Sequence, residues 1–203
     1  MNHPCVARHD YRVAMSAMDD AERFHPRSAG EWRAWLVEHH GRGHGVWVVF
    51  WRRDTGRPVV EYEESVLEAL CFGWIDSTRK VVDDDRVMMW FAPRRPQSTW
   101  VRTNKERVAR LEAEGRMRPS GRALVDAAKA NGMWTVLDDA EAGVVHPDLA
   151  KRLARDVEAA AAWDALTPAA RRRHLVDLAL ARTPSTLARR VDAVISSLDV
   201  HPA

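Results

Sequence analysis

The chain has 203 residues, of which 46% are hydrophobic and 30% charged, with a formal net charge of +2. That is enough apolar material for one substantial core, or for a main domain with a helical appendage, and too balanced a charge for a protein that coats nucleic acid. No run approaches the ~18 apolar residues of a membrane span, the first residues lack an apolar signal core, and two cysteines give neither a disulfide framework nor zinc-site spacing. A cytoplasmic protein with no membrane span is the expectation.

Residues 1–20 lack periodicity and are expected to form a loosely ordered leader. Ser28 with Glu31 three residues on makes a capping box, opening a helix with Trp32, Trp35 and Leu36 on one face. The glycine-rich stretch around His39, His40 and His44 matches no metal-ligand spacing and reads as a connecting loop. Val46–Trp51 is short and β-branched, the mark of a buried strand. A short helix over 61–70 follows, and then a β-hairpin from Phe72–Asp76 and Val87–Phe91 about the acidic turn Asp83-Asp84-Asp85. Thr103 with Glu106 predicts a second capping box, closing at Gly115. Pro119 starts a helix that ends at Asn131-Gly132. Residues 136–146 read as a linker. Three helices then follow from Pro147, with Thr167-Pro168 and Thr183-Pro184 as start signals. The expected fold class is α+β: a small antiparallel sheet packed against helices over 21–135, and a helical C-terminal module over 147–203.

The segment from Ser77 to Arg122 carries twelve basic and six acidic residues, a local net charge of +6 in a chain whose total is +2. Such segregation steers anionic ligands to one face. Arg94 and Arg95 lie just before a helix start, with Ser98 and Thr103 as nearby hydroxyls, an arrangement suited to an anion; pairing with Asp83–Asp85 and Glu106, or a solvated helix face, is the alternative. Trp74, Trp90 and Trp100 flank the segment, as core filling or as a stacking wall. Asp76 beside Trp74 is the acid/base candidate, or else a partner for Arg79, Lys80 or Arg94. The chain has no phosphate-cradling loop, no dinucleotide fingerprint and no nucleophile elbow, and neither metal nor cofactor is expected.

Several short motifs stand in a fixed order: Ala69-Leu70-Cys71-Phe72-Gly73-Trp74-Ile75-Asp76, then Pro93-Arg94-Arg95 with Ser98, Trp100 and Asn104. Gly115-Arg116-Met117, Gly121 and Ala128-Lys129 follow, and Trp163-Asp164-Ala165-Leu166-Thr167-Pro168 and Thr186 with Arg190 lie in the tail. With these the chain resembles the YdeI/OmpD-associated (bacteriocin-protection) family. Ser77 and Leu187 depart from its usual glycine and arginine. The resemblance implies an intracellular protein linked to tolerance of bacteriocins or cationic antimicrobial peptides, and it implies no reaction.

The leading expectation is a binding protein for antimicrobial or stress tolerance, its partner a small-molecule or anionic ligand. Trp74, Trp90 and Trp100 would stack on that ligand, Arg94, Arg95 and Arg116 would supply charge, and Asp76, Ser98 and Asn104 would orient it. An enzyme using Asp76 as general acid or base, and a nucleic-acid-binding or regulatory module, are the alternatives.

Overall fold

The computed structural model describes residues 20–57 and 60–198, so that the expected leader, apart from Asp20, and Cys5 lie outside the described residues. The chain forms two compact units, one from the residues up to Arg95 with Val108–Leu124, the other from Pro96–Arg107 with the residues from Val125 onward.

In the first unit, helix α1 (Ala29–His39) starts where the sequence says it must: the Ser28 hydroxyl accepts the Glu31 N–H at 3.2 Å. The Glu31 carboxylate turns back one residue further than a standard capping box, to the Arg27 N–H at 2.8 Å. Strands β1 (Arg23–Phe24), β2 (Val46–Trp51), β3 (Trp74–Val81) and β4 (Arg86–Pro93) make a sheet of order β1-β2-β4-β3. The hairpin β3–β4 and the β2–β4 pairing are antiparallel, as expected. The sheet as a whole is mixed, because β1 runs parallel to β2. Two residues are too few to carry an alternation signal, which is why that strand is not legible in the sequence.

Helix α2 (Tyr62–Cys71) ends one residue before the expected strand: Phe72 is its C-cap, and Gly73, at φ 81°, makes the turn into β3. Alternation gives the sheet two faces. Trp74, Val46, Val48, Phe50 and Phe91 share one of them, where Trp32 packs on Phe91 (5.3 Å between ring centroids) and Trp35 on Trp74 (5.7 Å). Trp47, Val49 and Met88 form a separate buried cluster on the opposite face, with Trp90 packed against it.

His25 lies 5.0 Å ring to ring from Trp51, with Nε2 buried and without a hydrogen-bond partner among the described residues. Burial first, and the Arg86 charge second, lower its pKa below the ordinary 6.5. The unfolded chain therefore takes up this proton more readily than the native state. The contribution of His25 to stability is complete above about pH 6.5 and is lost as the pH drops from there through the depressed native value. Urea midpoints measured across that window should decline toward acid, and His25→Gln should flatten the decline.

The second unit is helical among its described residues. Helix α3 (Arg102–Ala113) begins before Thr103, so the expected Thr103–Glu106 capping box does not form the terminus; instead the Glu141 carboxylate accepts the Arg102 N–H at 2.8 Å. Helix α4 (Pro119–Ala130) follows, and both α3 and α4 contribute residues to each unit. The stretch 136–146, read as a linker, carries the short helix α5 (Asp138–Glu141) with Leu137 and Ala140 buried. Helices α6 (Pro147–Leu153), α7 (Val157–Ala165), α8 (Pro168–Ala179) and α9 (Pro184–Leu198) enclose a core that includes Leu149, Trp163, Leu175, Leu178, Val194 and Leu198. The Thr167 and Thr183 hydroxyls cap α8 and α9 by accepting the Ala170 and Thr186 N–H groups at 3.2 and 3.1 Å.

Candidate functional site

The expected site residues are divided between the two units. Trp74, Asp76, Trp90, Arg94, Arg95 and Arg116 belong to the first unit, and Ser98, Trp100 and Asn104 to the second. Trp74 is 1% exposed, donates its indole N–H to the His40 carbonyl at 3.0 Å and meets Trp35 edge-on, which makes it a core residue. Trp90 points to the opposite face and packs on Trp47 at 5.2 Å, so the two side chains build no common wall. Trp100 is buried against Trp134 (5.1 Å). Asn104 is buried and accepts from Arg107 at 2.8 Å, while Ser98 is half-buried and Arg95 exposed.

Among the described residues of the first unit, one concavity lies on the helix-facing side of the sheet. It is a pocket of about 470 Å³, within the roughly 300–1,000 Å³ usual for small-molecule sites. Phe50, Val87 and Met89 make its apolar floor, by alternation on the face that α2 covers. Val60, Glu61 and Tyr62 overhang it from the start of α2, and Arg79 borders it from the edge strand β3. Arg52 and Arg53 close one end. Arg53 is paired with Glu61 at 2.5 Å, whereas Arg52 and Arg79 have no carboxylate partner among the described residues, and the buried Nε of Arg52 has no acceptor. The lining is thus apolar and net cationic.

Asp76 stands beside this pocket. Its Oδ2 accepts the Tyr62 hydroxyl at 2.7 Å, which ties the first turn of α2 to β3 through a tyrosine that is 47% exposed. Arg94 is 7% exposed, and its N–H donates to the Gly73 carbonyl at 2.9 Å. Burial pulls the Arg94 pKa down to about 10, against the opposing attraction of the Asp76 charge. Of the expected residues, Asp76 and Arg94 are the pair that the fold brings into mutual influence. The structure adds Tyr62, fourteen positions from Asp76 on another element, where no sequence signal links the two.

Arg116 sits elsewhere, in a second charged cluster. Glu68 is 7% exposed; its carboxylate accepts from Arg33 Nη1 at 2.5 Å and from Arg116 Nη2 at 2.7 Å, and Arg116 also reaches Glu114 at 2.9 Å. The adjacent Cys71 is the buried thiol that its apolar run implies, and burial raises its pKa. A trace of this cluster was legible in the sequence. Glu68 is an acid inside the run Val66-Leu67-Glu68-Ala69-Leu70, where only a paired charge is tolerated.

Among the described residues no group of three or more histidine, cysteine, aspartate or glutamate side chains could hold a metal, and no helix is long and apolar enough to cross a membrane. Residues 142–199 match the family model described as bacteriocin-protection, YdeI or OmpD-associated. This part of the chain is a YdeI/OmpD-associated domain. Residues 24–124 match a different model, a domain of unknown function (DUF8412), and most of the motif run from Ala69 to Lys129 falls there. No curated protein and no solved structure matches the chain.

Within the YdeI/OmpD-associated domain the tail motif has a mechanical meaning. Trp163 fills the core and Thr167 caps α8. Arg171 holds the corner between α7 and α8 by donating to the Leu166 and Asp164 carbonyls at 3.1 and 2.8 Å. Arg190 is tied to Asp177 at 3.3 Å, joining α9 to α8. Thr186 is turned toward the Thr183 hydroxyl at 2.9 Å. These residues are explained by the module's own packing.

Proposed function

We propose that this protein is a binding protein of bacteriocin or stress tolerance whose first unit holds a small amphipathic organic anion in the pocket beneath Tyr62. The observation that carries the reading is the pairing of an apolar floor (Phe50, Val87, Met89) with Arg52 and Arg79, two guanidinium groups without carboxylate partners among the described residues. Burying the apolar body of a ligand supplies affinity, and a charge-assisted bond to an arginine supplies orientation. The YdeI/OmpD-associated domain supports the tolerance role through its family description. The Tyr62–Asp76 bond holds one wall of the pocket in place, which makes Asp76 a positioning residue in this reading.

A thermal-shift screen of small organic anions tests it. An anion that raises the melting temperature should bind about tenfold more weakly to Arg79→Gln, since a hydrogen bond to a charged group contributes about 1.5–3 kcal/mol, and mass spectrometry should recover it unaltered. If no anion stabilises the protein, or if the shift is the same in Arg79→Gln, the pocket is not the site. A ligand recovered chemically changed, with the change lost in Asp76→Asn, would make the protein an enzyme instead.

A further inference from the structure

The Glu68 cluster has features that a structural ion pair does not need. One buried carboxylate holds two guanidinium groups, Arg33 from α1 and Arg116 from the turn before α4, on its two oxygens, and so fixes them side by side. Both arginines keep about a third of their side chains in solvent, 30% and 31%. A third, Arg118, is exposed and has no ion-pair partner among the described residues. Its guanidinium lies 5.9 Å from the centre of the Phe72 ring, over which Arg33 also lies at 5.5 Å. Arg110 joins through Glu114 at 2.8 Å. Four arginines thus face two carboxylates, an excess of two positive charges spread over α1, α3 and the segment before α4. A carboxylate beneath the arginines orients them while neutralising only part of their charge. The remaining donors are those that bidentate recognition of a tetrahedral dianion uses.

We infer that Arg33, Arg116 and Arg118 form an anion site for a phosphate group in its dianionic form, as in a phosphomonoester, with Glu68 and the Phe72 ring as its positioning support. The site is separate from the Tyr62 pocket, and neither reading depends on the other.

Titration calorimetry with inorganic phosphate at low ionic strength tests this on the full chain. Arg118 binds no carboxylate, so Arg118→Gln should leave the melting temperature unchanged while weakening phosphate binding about tenfold. Arg79→Gln, in the other pocket, should leave it as it was. Binding should also weaken steeply with added salt. Vesicles carrying phosphatidic acid, compared with phosphatidylcholine alone, separate the two sources of such a group. Arg118-dependent capture on the first would assign the site to a lipid headgroup, and phosphate binding without vesicle capture would assign it to a soluble phosphomonoester. No saturable binding of phosphate, or binding equally strong in Arg118→Gln, overturns the proposal and leaves the cluster as an ion pair that joins α1 to α2.

Discussion

Replacing Glu68 by alanine is expected to lower the stability of the first unit by about 2–3 kcal/mol, seen as an earlier urea midpoint followed by tryptophan fluorescence. Removing one member of a buried ion pair leaves its partners charged without compensation, a loss of roughly 3–5 kcal/mol where all are fully buried. Arg33 and Arg116 are each about one-third in solvent and recover part of that loss by hydration, which sets the smaller figure. The carboxylate also ties α1 to α2 and to the chain before α4, so the loss is shared by three segments. Glu114→Gln serves as the comparison. It removes an exposed partner of Arg116 and should leave the midpoint where it was. Equal losses in the two variants would show that burial of Glu68 is not what matters.

Gly121→Ala should be at least as costly, about 3 kcal/mol or more, with much of the protein failing to fold at the growth temperature. Gly121 lies in the first turn of α4, pressed against the end of α2. A Cβ there would stand 2.8 Å from the Leu70 carbonyl oxygen and closer still to that of Cys71. Both obstacles are backbone, and the Cys71 carbonyl is already held by the Arg118 N–H at 2.9 Å, so neither can retreat as a side-chain tip would. Gly30→Ala separates this steric effect from helix propensity. Gly30 is in α1, its added Cβ would meet nothing nearer than the Ser28 hydroxyl at 3.6 Å, and the change should stabilise by about 0.5–1 kcal/mol. Circular dichroism melts of the two variants should move in opposite directions.

Local signals proved readable where the physics is local. The Ser28, Thr167 and Thr183 caps, the Gly115 and Gly132 terminations with positive φ, and the hairpin about Asp83–Asp85 each depend on a few neighbouring residues. What depends on distant partners was not readable. The start of α3 lies before the Thr103 signal because the carboxylate at its first N–H is Glu141, thirty-nine positions away. The aromatic wall of Trp74 and Trp90 failed on one residue. Carried from the turn without interruption, the register of Val81 with Val87 and Arg79 with Met89 would put Trp74 on the Trp90 face. The irregularity between Asp76 and Arg79 shifts the pairing by one residue and turns Trp74 over into the core. Of the candidate site, Asp76 and Arg94 were visible as chemistry. Tyr62 and Arg33, which give those regions their geometry, belong to other elements and carry no motif, and Glu68 shows only as an acid inside an apolar run.

Glu141 limits where this chain can be divided. The family match begins at residue 142, yet the Glu141 carboxylate is 5% exposed, accepts the Arg102 N–H and pairs with Arg172 of α8 at 2.6 Å. Ala140 beside it belongs to the same apolar core as Trp163 and Leu198. A fragment cut at the family boundary would strip Arg172 of its counter-charge and open that core at one end. Kinship and mechanical integrity have different edges here: the packing of this module takes in Ala140 and Glu141, which lie before the family match begins.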